Sequence, residues 1–117
     1  MKYKPDSLGN FELIVIAAVA TLVGNSQDAY GVTILEKVQE IGGKPVKFGS
    51  IYTTLDRLEE KGYLLSWMTE PTRERGGRSR RCYKLEPAGA TALKESALTA
   101  TRMLGTIGPL GFAESHD

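Results

Sequence analysis

Cysteine and histidine are almost missing from this 117-residue chain: each occurs once, as Cys82 and His116. A single thiol cannot close an intrachain disulfide, and such a composition suits a reducing, cytoplasmic compartment. Cys82 is expected to be a small buried hydrophobe. One histidine beside the C-terminus supplies neither a Ser/His/Asp set nor a cluster of metal ligands, so the reading is of no catalytic residue, no metal and no cofactor. Long apolar runs are lacking as well. The longest, "LIVIAAVATLV" from Leu13 to Val23, has 11 residues, against about 20 needed to span a bilayer. Glu12 precedes it and no basic start leads into it, so it does not read as a secretion signal either. It is expected to be a heavily buried helix, with no membrane partner. Net charge is nearly absent too, at +1.

What is there is an ordinary globular composition, 41% hydrophobic and 25% charged, of a length suited to one domain. The charge is unevenly spread. "RERGGRSRRCYK", residues 73–84, holds Arg73, Arg75, Arg78, Arg80, Arg81 and Lys84 against Glu74 alone. Its local charge is +5, so the remainder of a +1 chain carries −4. Concentrated positive charge around a Gly-Gly turn needs a reason, because like charges repel.

The apolar spacing predicts a first helix over roughly 8–23, capped by Ser7 or Asn10. Leu8, Phe11, Ile14, Val15, Ala18, Val19 and Leu22 recur at helical intervals, and Ile16, Ala17 and Ala20 make the other side apolar too. A helix so apolar on every side needs neighbours all round, and a partner subunit is one way to supply them. "GNSQD" predicts a turn with Asp28 as cap. A second helix over 29–41 then buries Tyr30, Ile34, Val38 and Ile41, with Leu35 beside them, and "GGKP" stops it. Ile51, Leu55 and Leu58 predict a third helix over 48–61, ended by Gly62 in a left-handed cap. "YLLSWMT", 63–69, and "RRCYKL", 80–85, read as two strands. Pro87 suits the first turn of a last helix, expected to reach about residue 104.

Two helices joined by a short Gly/Pro turn, followed by a hairpin with a basic tip, predict a winged helix-turn-helix: mostly α with a small β-hairpin. The arginines then sit on a loop able to reach a phosphate backbone, which explains the local charge. Candidate contacts to double-stranded DNA are Lys47, Ser50, Tyr52, Thr53, Thr54, Arg57 and Lys61 on or beside the third helix, and Arg78, Arg80 and Arg81 on the wing. Ser50, Thr53 and Thr54 are short donors suited to a base edge; Arg57 and Lys61 are better placed for phosphates. Arg57 has an alternative partner in Glu60, one turn along the helix. Tyr52 is open to either a DNA contact or packing between helix and wing.

At these residues the chain resembles the PadR family of transcriptional regulators. The resemblance is carried by "VKFGSIYTTLDRLEEKGYL" (46–64), "YGVTILEKV" (30–38) and "GGRSRRCYKLEPAGATAL" (76–93), and covers residues 11 to about 104. The family often has proline where this chain has Thr53, and a small polar cap where it has Lys47, so the target sequence is expected to differ. The resemblance implies a DNA-binding regulator, and the single C-terminal helix implies the shorter type, which dimerises through that helix and the first one.

The spacing of Leu93, Ala97, Ala100 and Leu104 is independently that of a helix-pair seam; Phe11 and Ile14 are the candidates on the first helix. The expected division is a winged helix over 1–86, a dimerisation helix over 87–104 and a flexible tail over 105–117. Trp67 is expected to be half-buried against the core or the last helix, with a small-molecule effector pocket between subunits as its other reading. A homodimeric repressor on a pseudo-palindromic operator is the function expected; a winged helix that binds protein, and a small-molecule sensor, are the alternatives.

Overall fold

A computed structural model of the chain describes residues 8–70 and 79–107. The elements run α1 (Asn10–Gly24), α2 (Gly31–Gly42), α3 (Phe48–Glu60), β1 (Leu64–Met68), β2 (Arg81–Leu85) and α4 (Pro87–Ile107). This mostly helical chain with one small antiparallel hairpin is the architecture expected from the sequence.

The apolar run becomes α1, the central element. Val15, Ile16, Ala18 and Val19 have no exposed surface, and each of α2, α3, β2 and α4 packs on the helix. The neighbours that its broad apolar surface needs therefore come largely from the same chain, and a partner is not required to bury it. Asn10 is the first helical residue, not the cap; Ser7 lies outside the described residues. Gly9 takes the cap position, and its N–H donates to Oε1 of Glu12 at 2.9 Å, satisfying one of the donors that a helix start leaves over.

Nor does Asp28 cap α2. Residues 29 and 30 leave the turn in extended form and lie beside β2. The Tyr83 N–H donates to the Ala29 carbonyl at 2.8 Å, and Tyr30 bridges Cys82. The helix cannot begin until that pairing ends, so Tyr30 becomes its cap residue. The Thr33 hydroxyl closes the first turn, accepting from the Tyr30 N–H at 3.0 Å and donating to the Asp28 carbonyl at 2.7 Å. Ile34 and Val38 are buried as expected, whereas Ile41 is exposed: it shares their stripe but sits in the last turn, beyond the core. Gly43 ends the helix at φ +74°. The Val46 N–H then donates to the Gln39 side chain at 3.1 Å, bracing the turn into α3.

Ile51, Leu55 and Leu58 bury α3 completely on one face. Each such side chain stabilises the fold by about 1.5–3 kcal/mol. Gly62, at φ +80°, turns the chain into β1 in the left-handed region expected of it. The strands pair from Leu64↔Leu85 to Met68↔Arg81. Cys82 and Tyr83 are both 1% exposed, because β2 has β1 on one side and residues 29–30 on the other. Burial pushes the Tyr83 hydroxyl pKa up to about 12, with the neighbouring Arg81 only partly opposing it.

The last helix starts at Pro87 as expected but continues through Gly105 to Ile107. An internal glycine costs a helix only about 1 kcal/mol relative to alanine, too little to stop one already running. It thus crosses the expected boundary at 104/105. Near its start Gly89 is buried against the Tyr63 carbonyl, and Ala92 and Leu93 cover part of the core. Farther on, Leu98, Met103, Leu104 and Ile107 are all more than half exposed.

Candidate nucleic-acid interface

The outward side of α3 is open. Lys47, Ser50, Tyr52, Thr53 and Arg57 are exposed, and no side chain caps the helix start at Lys47. Thr54 is different: it is 4% exposed and belongs with the core. It stands three residues after Ile51 and four before Leu58, on the edge of the buried stripe, where it forms the floor of a groove with Phe11, Ser50, Thr53 and Arg57. Lys61 also departs from expectation. Its ammonium contacts both Glu12 oxygens, at 3.2 and 3.0 Å, and its side chain is 18% exposed. Arg57 pairs not with Glu60 but with the same carboxylate, Nη1 lying 3.8 Å from Oε2, while the side chain stays 53% exposed.

Glu12 therefore joins the first turn of α1 to the second half of α3. Its burial would by itself raise the carboxyl pKa. The Gly9 N–H, the Lys61 ammonium and the Arg57 guanidinium more than offset this and hold it below the ordinary value. Sequence reading missed the residue, because a single acid before an apolar run reads as a helix-start charge; its partners lie 45 and 49 residues away.

Phe48 was missed as well. Its ring stacks on Tyr52, with centroids 6.2 Å apart and planes 21° from parallel, and both rings are nearly half exposed. A Cβ at Gly31 would overlap the Tyr52 hydroxyl, so Tyr52 packs on the first turn of α2 and keeps an exposed face. Spacing alone puts Phe48 on the Ile51/Leu55/Leu58 stripe, three residues before Ile51, where it reads as core; it stays exposed because it is the first residue of α3.

The hairpin cations are anchored. Arg80 lies over the Tyr30 ring with Cζ 4.1 Å from its centroid. Its N–H donates to the Thr69 hydroxyl at 2.9 Å. Arg81 Nη1 donates to the Ser66 hydroxyl at 2.9 Å, and that hydroxyl donates to Glu59 of α3 at 2.7 Å. The wing is thus tied to both helices of the helix-turn-helix. Arg73, Arg75, Gly76, Gly77 and Arg78 lie outside the described residues. Trp67 is 44% exposed and pairs across the strands with Cys82, and the core residues Ala29, Cys82 and Tyr83 share its cleft. The same cleft takes in Val23, Ser26, Gln27, Asp28 and Lys84, whose ammonium lies 5.8 Å from the ring centroid. Among the described residues no His, Cys, Asp and Glu cluster is placed to hold a metal, and no helix is long and apolar enough to cross a membrane.

A family model, the transcriptional regulator PadR-like family, matches residues 19–95, which hold α2, α3, the hairpin and the start of α4. The chain belongs to the PadR-like family. Solved structures share the winged-helix fold. A PadR-like transcriptional regulator from Bacillus cereus superposes with a TM-score of 0.68 at 20% identity, over 88% of this chain and 92% of that one. A PadR family regulator from Clostridium difficile gives 0.66 at 21%, over 85% and 95%. A protein of Streptococcus mutans gives 0.64 at 25%, over 99% and 100%. No curated protein matches. In this PadR-like chain the family match takes in every candidate DNA contact named above, and leaves out Phe11, Glu12 and Ile14 of α1 and the exposed end of α4.

Proposed function

We propose that this PadR-like regulator binds a pseudo-palindromic operator in double-stranded DNA as a homodimer, and represses by occluding a promoter. The observation that carries the reading is the open face of α3, with Lys47, Phe48, Ser50, Tyr52 and Thr53 exposed, beside a hairpin whose Arg80 and Arg81 are anchored to α2 and α3. The first turns of such a helix approach base edges, and the cations approach phosphates. Thr54, 4% exposed, and Lys61, paired with Glu12, are left out of the proposed contact set.

Support for a dimer comes from α4, whose second half offers Leu98, Met103, Leu104 and Ile107 to solvent. A second copy would bury them and present two reading helices to half-sites about one DNA turn apart. Phe11 and Ile14 are half-buried on their own core, so their share of such an interface is small. A small-molecule pocket between subunits at Trp67 finds less support, since its cleft contains no residue of α4.

Selection of bound duplexes from a random pool tests the function directly. The expected product is a two-fold symmetric site. Arg81→Glu should then weaken binding to cognate and random duplex alike. It should also make the salt dependence shallower, by about 0.9 in log–log slope for each phosphate no longer neutralised. A chain that retains no duplex at low ionic strength would overturn the proposal, in favour of a winged helix that binds protein.

A further inference from the structure

We propose that Glu12 is the positioning residue of the reading helix: it holds Lys61 away from DNA, and it holds Arg57 loosely enough for a backbone phosphate to take it. This rests on the DNA-binding reading above and deepens it.

The two cations are held unequally. Lys61 sits within hydrogen-bond distance of both Glu12 oxygens and is mostly buried, whereas Arg57 approaches one oxygen at 3.8 Å and is half exposed. That separation is an ion pair without a hydrogen bond. Oε1 also takes the Gly9 N–H. Glu12, 8% exposed, is thus satisfied by Lys61 and Gly9 before Arg57 is considered. Arg57 also lines a shallow groove with Phe11, Gly49, Ser50, Thr53 and Thr54, on the open side of α3. It can turn from Glu12 to a phosphate without stranding a buried carboxylate.

Loss of Lys61 changes this balance. A buried carboxylate deprived of its closest cation is costly, and Arg57 is the other cation paired with it among the described residues. The guanidinium then closes onto Glu12 and is withdrawn from DNA. Lys61 therefore governs a phosphate contact that it does not make, and removal of the Glu12 charge releases that contact again.

The test is the salt dependence of duplex binding by the full chain, compared for wild type, Arg57→Gln, Lys61→Met and the double variant Lys61→Met/Glu12→Gln. Lys61→Met is expected to lower the slope by about 0.9, as Arg57→Gln does, and Glu12→Gln in the same chain to restore it. A double variant as shallow as Lys61→Met would place Lys61 itself on a phosphate and overturn the proposal. A second measurement does not depend on DNA: NMR titration of the Glu12 carboxyl. Arg57→Gln should move its pKa little while Lys61 is present and markedly upward in the Lys61→Met chain. Equal shifts in the two backgrounds would overturn the recapture of Arg57. A wild-type chain that binds no duplex counts against the DNA-binding reading, and the carboxyl titration then decides whether Glu12 and Lys61 control Arg57.

Discussion

Two glycines show how differently one missing Cβ can act. At Gly31 the space is taken by the Tyr52 hydroxyl, the far end of a side chain that can swing aside. At Gly89 it is taken by the Tyr63 carbonyl, which also accepts the Glu86 N–H at 3.0 Å. Backbone held in this way cannot swing. Gly89→Ala is therefore expected to cost about 1–3 kcal/mol through overpacking, and Gly31→Ala less, the difference being read from urea unfolding midpoints. Gly31→Ala should instead disturb the exposed Phe48–Tyr52 pair. Equal losses would show that Tyr52 is as immobile as the backbone. Neither glycine announced this role in the sequence, where each stands at or near a helix start like many others. Gly62 was legible, because a left-handed residue that ends a helix follows from local sterics; Gly43 was read only as part of the stop after α2.

Between elements, α1 and α3 are held together by a core that the spacing of side chains forecasts and by an ion pair that it does not. Because the folded state holds Glu12 below its ordinary value of 4.5, the clamp stabilises the fold at pH above that value. Between the lowered folded value and 4.5 the unfolded chain binds the proton and the native one does not. Stability is therefore lost as pH falls through that window. Urea midpoints measured from neutral pH down to about pH 3 should fall there in wild type, and Glu12→Gln should flatten that part of the curve. An unchanged curve would mean that Glu12 gains as little from Lys61 as an exposed pair does. The helix limits show the same division. The period of α3 set its buried face almost entirely, yet Thr54 joins the core because the stripe is wider than three residues. The start of α2 was misread because residues 29–30 answer to β2, a partner more than 50 residues away in the chain.

In the whole molecule, two open surfaces among the described residues bear on the proposed function: the outward face of α3 and the second half of α4. The seam read as Leu93, Ala97, Ala100 and Leu104 divides between the second of these and the core, since Leu93 already covers part of its own domain. An acid at Leu93 would thus damage fold and dimer together. Leu104 is 64% exposed, so Leu104→Glu should leave the melting of the domain intact and yield a monomer in sedimentation. A dimer that persists in that variant would move the interface off the end of α4.

Element order, the buried faces of α2 and α3, the left-handed turn at Gly62 and the place of the wing are all written locally in the chain. They follow from periodicity and backbone sterics acting within a few residues. Which charges are engaged inside the molecule is settled only by folding. Lys61, Arg57, Arg81 and Arg80 look alike along the chain, and what separates them is the carboxylate, hydroxyl or ring that distant segments bring within a few ångströms.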